Sequence, residues 1–447
     1  PRHQHGSGGT LDGATADLSR QPALYRSGGG TGWPVCGVWP LALRVGSGAD
    51  HGSDHRRLRD RSQIRYQSTA LQDRQVHIKQ NYETIIVGGG LVGFSIAYGL
   101  ARRGLDCVLL DASDTDFRAA RGNFGLVWVQ GKGSGFSAYA DWTMRSAELW
   151  PTLSSELQEL TGRDLGLEQE GGIHICLSQA EYDDRKARLD ALRSHQNGRF
   201  HYEMLDRQAL LDLQPDLGPD VVGGSWCPAD GHVNPLYLLR SLHDGFLRHG
   251  GKVHSDAEVS DIASKTGIFT VTSRQGVVRA PRLVLAAGLG NRTLAPLVGL
   301  TQPVRPQKGQ ILVTQKTDRM IRLPMTLLRQ TAEGSIMIGD SKEEVGFDIS
   351  STTDVMAQIA HRAERTIPAL KHQQIIRSWA ALRVMSPDGF PVYDQSLTHP
   401  GAFAITCHSG VTLAAAHALD LAGDIASGGL AHHLSEFTER RFNVSPG

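Results

Sequence analysis

The sequence predicts a fold that is part α/β and part α+β, with a parallel-sheet domain assembled from separate stretches of chain and an antiparallel-sheet domain beside it. Three observations predict it. Residues 82–111, YETIIVGGGLVGFSIAYGLARRGLDCVLLD, read strand, glycine turn, helix, strand, the order of a βαβ unit. Two further buried strands, in Arg282–Gly290 and Ala402–Thr406, come far downstream. Val304–Thr314 and Ser335–Gly339 alternate apolar and polar residues, as antiparallel strands do.

Thr84–Val87 is a short, apolar, β-branched run, the pattern of a buried parallel strand. Gly88, Gly90 and Gly93 follow at the spacing G-x-G-x-x-G. Gly88 permits the tight turn, Gly90 lets the backbone approach a pyrophosphate, and Gly93 lets helix and strand pack closely. The helix Leu91–Arg103, stopping at Gly104 as a C-cap, opens with Leu91 and Val92, whose end offers N–H groups and a positive dipole to phosphates. The second strand, Cys107–Leu110, ends on Asp111, where a carboxylate accepts hydrogen bonds from both hydroxyls of an adenosine ribose. Strand, glycines, helix, strand and acid in this order specify a Rossmann-like dinucleotide site.

The 447 residues suggest two or three domains, and 40% hydrophobic with 21% charged residues is an ordinary globular composition. A net charge of +0 points away from nucleic acid and from anionic membrane surfaces, and no run approaches the ~18 apolar residues of a membrane span. The five cysteines are scattered without a C-x-x-C pair, which argues against a disulfide framework, an iron–sulfur cluster or any metal site. Reduced thiols fit a cytoplasmic protein, or one peripheral to a membrane through partner subunits.

Residues 1–80 are rich in Gly, Ser, Arg and His, contain no glutamate and show no sustained apolar period. The patch Trp33–Val45 is broken by Pro34, Gly37 and Pro40, so it is no signal-peptide core, and Asp12, Asp17, Asp50, Asp54 and Asp60 argue against a transit peptide. With Pro1 first and Met144 the earliest methionine, the expectation is a disordered or spurious extension, with the native start near Val76.

The remaining elements follow in order. Within Phe117–Gln130, the Arg-Gly-Asn-x-Gly loop can donate N–H groups to phosphates and to a flat ring, through Arg121 and Asn123. Ala140–Thr161 reads as a helix, Glu168–Leu177 as a strand and Gln179–Arg193 as a charged surface helix. Asn234 caps a helix that has Pro235 at its first position and ends at Gly250-Gly251, before the strand Lys252–His254. Val259 stands where backbone groups could pair with an adenine edge, and Phe269–Ser273 with Val277–Arg279 forms a hairpin-like pair. Arg282–Gly290, with Gly288, is a close-approach turn beside the first site rather than a second NAD fingerprint, because position 293 is Thr and no acid-ended strand follows. Thr353–Ile367 is an amphipathic helix, and Arg383 precedes a Ser-Pro-Asp-Gly turn. Ala402–Thr406 runs through Cys407-His408-Ser409-Gly410 into a long helix, Val411–Ser427, whose N-terminus (Gly410, Val411, Thr412) can stabilise negative charge.

The segments IVGGGLVG, RGNFG, DGHVNPLYL, LVLAAG, RPQKGQILVT, IMIGDSKEEVGFD, SWAALRVMSPDGFPV and CHSGVTLA together resemble the D-amino-acid-oxidase-like family of FAD-dependent oxidoreductases over residues 82–442. Within that family the chain is most similar to the branch of D-hydroxyproline dehydrogenase β subunits, opine oxidases and cyanide synthase subunits. The resemblance implies FAD, with its adenosine on Gly88–Asp111, its isoalloxazine near Asn123, Phe124 and Gly125, and the Val411 end facing the pyrimidine. It implies that Arg383 clamps a substrate carboxylate and that His408 lies at the flavin edge. Ala381 stands where sarcosine oxidases carry the cysteine that bonds flavin, so the FAD should be non-covalent. No arginine follows the histidine as it does in the glycine oxidase pattern, so that enzyme's specificity does not carry over.

The domains implied are 81–165, 226–300 and 377–442 for FAD, and 166–225 with 301–376 for substrate. The function implied is a dehydrogenase oxidising the C–N bond of a small amino or imino acid, D-hydroxyproline, D-proline or an opine, to an imine, with partner subunits carrying electrons onward. An O2-using oxidase releasing H2O2, a non-catalytic flavin-holding subunit and an NAD-linked dehydrogenase are the alternatives.

Overall fold

The computed structural model describes residues 80–112, 119–120 and 122–442. The expectations for the N-terminal extension up to residue 79 and for Arg121 lie outside the described residues.

A six-stranded sheet runs in the order Val392–Gln395, Ala402–Thr406, Arg282–Leu285, Thr84–Val87, Cys107–Leu110, Lys252–His254. Every pairing is parallel except the first, where Val392–Gln395 lies antiparallel to Ala402–Thr406. The strand Thr84–Val87 is buried along its whole length, which is why it reads as a continuous apolar run rather than an alternating one. Its side chains nevertheless go to opposite faces. Ile86 joins Leu109, Val284 and Phe403 in a core with the helices Leu91–Ala101, Ser137–Thr161 and Pro235–Arg248. Ile85 and Val87 join Val108, Leu283 and Leu285 against Ile262, Phe269 and Val278 of a three-stranded antiparallel sheet, Val259–Lys265, Ile268–Ser273 and Gly276–Ala280. The parallel sheet is thus covered by helices on one side and by a small sheet on the other.

A four-stranded antiparallel sheet takes the order Leu328–Gln330, Ser335–Ile338, Arg305–Lys316, Ile375–Met385. Its longest pairing sets Gln307 opposite Arg383 and Gly309 opposite Ala381. A second antiparallel sheet, Gly172–Cys176, Gly223–Cys227 and Glu203–Asp206, shares an apolar core with it through Ile173, Ile175, Leu312 and Ile338, closed by Ile359 of the helix Thr353–Thr366. Among the described residues no helix is long and apolar enough to cross a membrane.

Local chemistry explains most element limits. Asn234 Oδ1 accepts from the N–H groups of Leu236 and Tyr237, at 3.1 and 3.2 Å, and starts its helix as its position predicts. The first helix ends at Ala101, two residues before the expected limit, and the chain turns through Gly104 at φ 85°. The expected helix Val411–Ser427 needs a larger correction. Regular α-helix begins only at Ala414, passes through a π-turn at His417–Leu421 and ends at Ala426. Ser146 is the cause. Its hydroxyl donates to the Thr412 carbonyl at 2.6 Å and accepts from Ala416 N–H at 3.1 Å, standing inside the hydrogen bond that would have closed the first turn.

Candidate active site

The carboxyl ends of the parallel strands open on a cavity of about 410 Å³, the place where open α/β sheets bind ligands. Gly93 lies beneath it, where an added Cβ would overlap the Gly88 carbonyl oxygen. Gly90 is different: no atom stands within 4 Å of where its Cβ would be, so its bare face is turned to open space. The helix behind it has no side-chain N-cap and no acid in its first turn, leaving its first N–H groups to an outside anion. Asp111 Oδ1 accepts from Gly89 N–H at 2.9 Å, so the acid both holds the turn and borders the cavity. Bare backbone, uncapped helix end and carboxylate together fit a dinucleotide.

A second cavity, of about 320 Å³, shares Ala119, Asn123, Leu382, Val384, Cys407 and His408 with the first. Arg383 reaches it from Ile375–Met385 with its side chain 17% exposed. The guanidinium donates to the carbonyls of Ser341 at 2.8 Å and Lys308 at 3.2 Å, and to the Asp340 carboxylate. It lies flat over Gly309 on the neighbouring strand, where any Cβ would overlap it. The segment carrying Asp340 is tied down by Lys308, whose buried ammonium meets Asp348 at 2.8 Å and Glu343 at 3.2 Å.

Burial first, then the cations Lys132, Arg383 and Lys342, hold the His408 imidazole well below its usual pKa, so it is neutral. Burial pushes the Cys407 thiol up to about 12. Lys132 donates from Nζ to Ser409 Oγ at 3.0 Å, and that oxygen lies 2.7 Å from the Tyr139 hydroxyl. Burial, with Lys342 next, brings the Lys132 ammonium down to about 8. Phe124, Trp128 and Ile311 supply apolar wall. The cavity can therefore hold an anion against Arg383 and Lys132, beside a neutral imidazole.

Of the residues singled out in the sequence, Gly88, Gly90, Leu91, Val92 and Asp111 line the first cavity, as do Val259, Gly288 and Gly410. Asn123 and His408 border both cavities, while Phe124, Arg383, Val411 and Thr412 line the second. Gly93 and Gly125 are packed behind the walls, Gly125 at φ 92° against the Val233 carbonyl. Val411 and Thr412 belong to a turn, so the helix end expected there is displaced to Ala414. Sequence reading missed Lys132, Asp340 and Lys342, all on the second cavity. The available signal was Gly-Lys-Gly-Ser-Gly at 131–135, a lone lysine in a glycine loop directly after an apolar run.

A family model described as FAD dependent oxidoreductase (DAO) matches residues 83–423. An opine oxidase subunit from Agrobacterium tumefaciens (strain Ach5) is 47% identical over 360 residues, covering 80% of this chain and 97% of that protein. The hydrogen cyanide synthase subunit HcnC of Pseudomonas protegens is 27% identical over 357 residues, covering 70% of this chain and 84% of that protein. Among solved structures, glycine oxidase from Geobacillus kaustophilus shares the fold with a TM-score of 0.75 at 24% identity, over 80% of this chain and 98% of that one.

Proposed function

We propose, from the premise that the chain belongs to the FAD dependent oxidoreductase family, that it oxidises the C–N bond of a small amino or imino acid, an opine or D-hydroxyproline/D-proline, to an imine. The observation that carries this reading is a half-buried arginine, Arg383, on a cavity that shares its wall with the glycine-lined one. An anion grip beside a dinucleotide site suits the oxidation of a carboxylate-bearing molecule. The 47% identity to an opine oxidase subunit over almost its whole length supports the opine among these substrates.

Gly88, Gly90 and the first N–H groups of Leu91–Ala101 would hold the pyrophosphate of FAD, and Asp111 the ribose. Asn123–Gly125 and Gly410–Thr412 would flank the ring, and Ala381 offers no thiol for a covalent link. FAD supplies, when bound, the acceptor for the hydride lost from the carbon next to nitrogen. The chain supplies position and electrostatics. Arg383 takes the substrate carboxylate with guanidinium N–H donors beyond those engaged by Asp340, Ser341 and Lys308. Arg383, Lys132 and Lys342 disfavour an ammonium nearby, so the amine nitrogen sheds its proton and keeps its lone pair, and neutral His408 does not compete for the carboxylate. Phe124, Trp128 and Ile311 keep water from the reacting carbon.

The domain division given by the sequence is part of this proposal, except that Ile375–Met385 pairs with Arg305–Lys316 in the antiparallel sheet, bringing Leu382 and Val384 to the shared wall and Arg383 to the second cavity. Relatives named as subunits favour a dehydrogenase that passes electrons to partner subunits over an oxidase acting alone. The test is anaerobic mixing of the purified yellow protein with D-proline, D-hydroxyproline, glycine, sarcosine and opines. Bleaching of the visible flavin band by an amine in this set is expected; no bleaching by any of them removes the catalytic reading. Peroxide release at the turnover rate from this chain alone would overturn the dehydrogenase in favour of the oxidase.

A further inference from the structure

Lys132 comes to the second cavity from a different wall than Arg383, on the glycine loop that leads into the helix Ser137–Thr161. Its ammonium carries three N–H donors. Only the bond to Ser409 Oγ uses them, and among the described residues no carboxylate pairs with it. The contrast with Lys308 is direct, since that buried lysine is neutralised by Glu343 and Asp348. The lining therefore holds three cations, Arg383, Lys132 and Lys342, against one carboxylate, Asp340. Ser409, itself bonded to Tyr139, fixes where the Lys132 charge sits. A desolvated ammonium without a counter-ion is costly, and a ligand carboxylate would repay that cost.

We propose that Lys132 is a second carboxylate anchor, so that the cavity selects secondary amines bearing a carboxylate on each of the two carbons attached to nitrogen. Arg383 grips one carboxylate and Lys132 the other, and the nitrogen between them is held by both ends. This rests on the amine-oxidising reading above and narrows its substrate class. Lys342 is exposed at the same cavity and adds attraction without fixing a position.

The test compares iminodiacetate with N-methylglycine, which differ by one carboxylate, on the purified holoenzyme. Binding is read from quenching of tryptophan fluorescence, Trp128 being on the cavity wall, and turnover is read separately. The wild type should bind iminodiacetate about 10-fold or more tightly than N-methylglycine, the usual worth of a charge-assisted hydrogen bond. Lys132→Met should bring that ratio to about one, weakening iminodiacetate far more than N-methylglycine, and Lys132→Arg should retain most of it. Three results would overturn the proposal: no preference in the wild type, a preference that survives in Lys132→Met, or equal weakening of both ligands. Turnover tells the two readings apart. A preference for iminodiacetate that Lys132→Met abolishes, without oxidation of any amine, sinks the enzymatic reading alone, and oxidation with a preference that Lys132→Met leaves intact sinks the second anchor alone.

Discussion

The two cavities meet at Cys407 and His408 and are built by opposite means. The glycine-lined one is shaped over Gly88–Val92 by backbone, where an absent side chain leaves room at Gly90 and helix N–H groups supply the polarity. The charged one is shaped by side chains from four separate places: Lys132 on a loop, Asp340 and Lys342 on a segment held by Lys308, Arg383 on a strand, and His408 at a strand end. Backbone chemistry can recognise what every dinucleotide shares. A particular substrate needs charges set at particular distances, and only long-range folding sets those.

The largest expected effect divides the glycines. Gly93→Ala should cost about 3 kcal/mol or more in urea unfolding, because helix and strand must separate to admit the methyl group. Gly90→Ala should leave the stability of the apoprotein unchanged and weaken FAD uptake instead. Equal destabilisation by both would erase the distinction between packing glycines and ligand-facing ones. Next comes Arg383→Met, which should raise KM for carboxylate-bearing amines about 100-fold with FAD content unchanged. Loss of the yellow colour would mean that the two cavities do not stand apart.

A smaller effect is expected from pH. Lys132 is charged below about 8 and loses its charge above it, with burial first and then Lys342 and Arg383 pressing that value down while Cys407 and Asp230 raise it. The ratio of kcat/KM for iminodiacetate to that for N-methylglycine should therefore be full near pH 7 and fall about 10-fold toward pH 9. A flat ratio across that range would remove Lys132 from substrate selection. The smallest change should follow His408→Gln. A histidine already neutral at working pH contributes no acid limb, so the pH profile of kcat/KM should keep its shape; a limb lost in the variant would show that the imidazole carries a proton.

How far the sequence could be read follows from the same contrast. Thr84–Val87, Cys107–Leu110 and Ala402–Thr406 have the limits that their apolar runs predict, because each is buried in the sheet along its whole length. Lys132 was passed over because its surroundings come from Tyr139 and Ser409, one of them far downstream. The pairing of Arg383 with Asp340 spans a strand and a loop that no local pattern connects. The late helix start at Ala414 turns on the hydroxyl of Ser146, a residue of another helix that reads as an ordinary small side chain.

Gly309 carries one last consequence. The arginine's resting place is kept by a residue that contributes a hydrogen atom and nothing else, so a search confined to acids, bases and nucleophiles would walk past it. A single methyl group there should displace the guanidinium without altering the protein's charge, mimicking loss of an arginine that is still present. The place of that guanidinium is in part the heritage of an empty position.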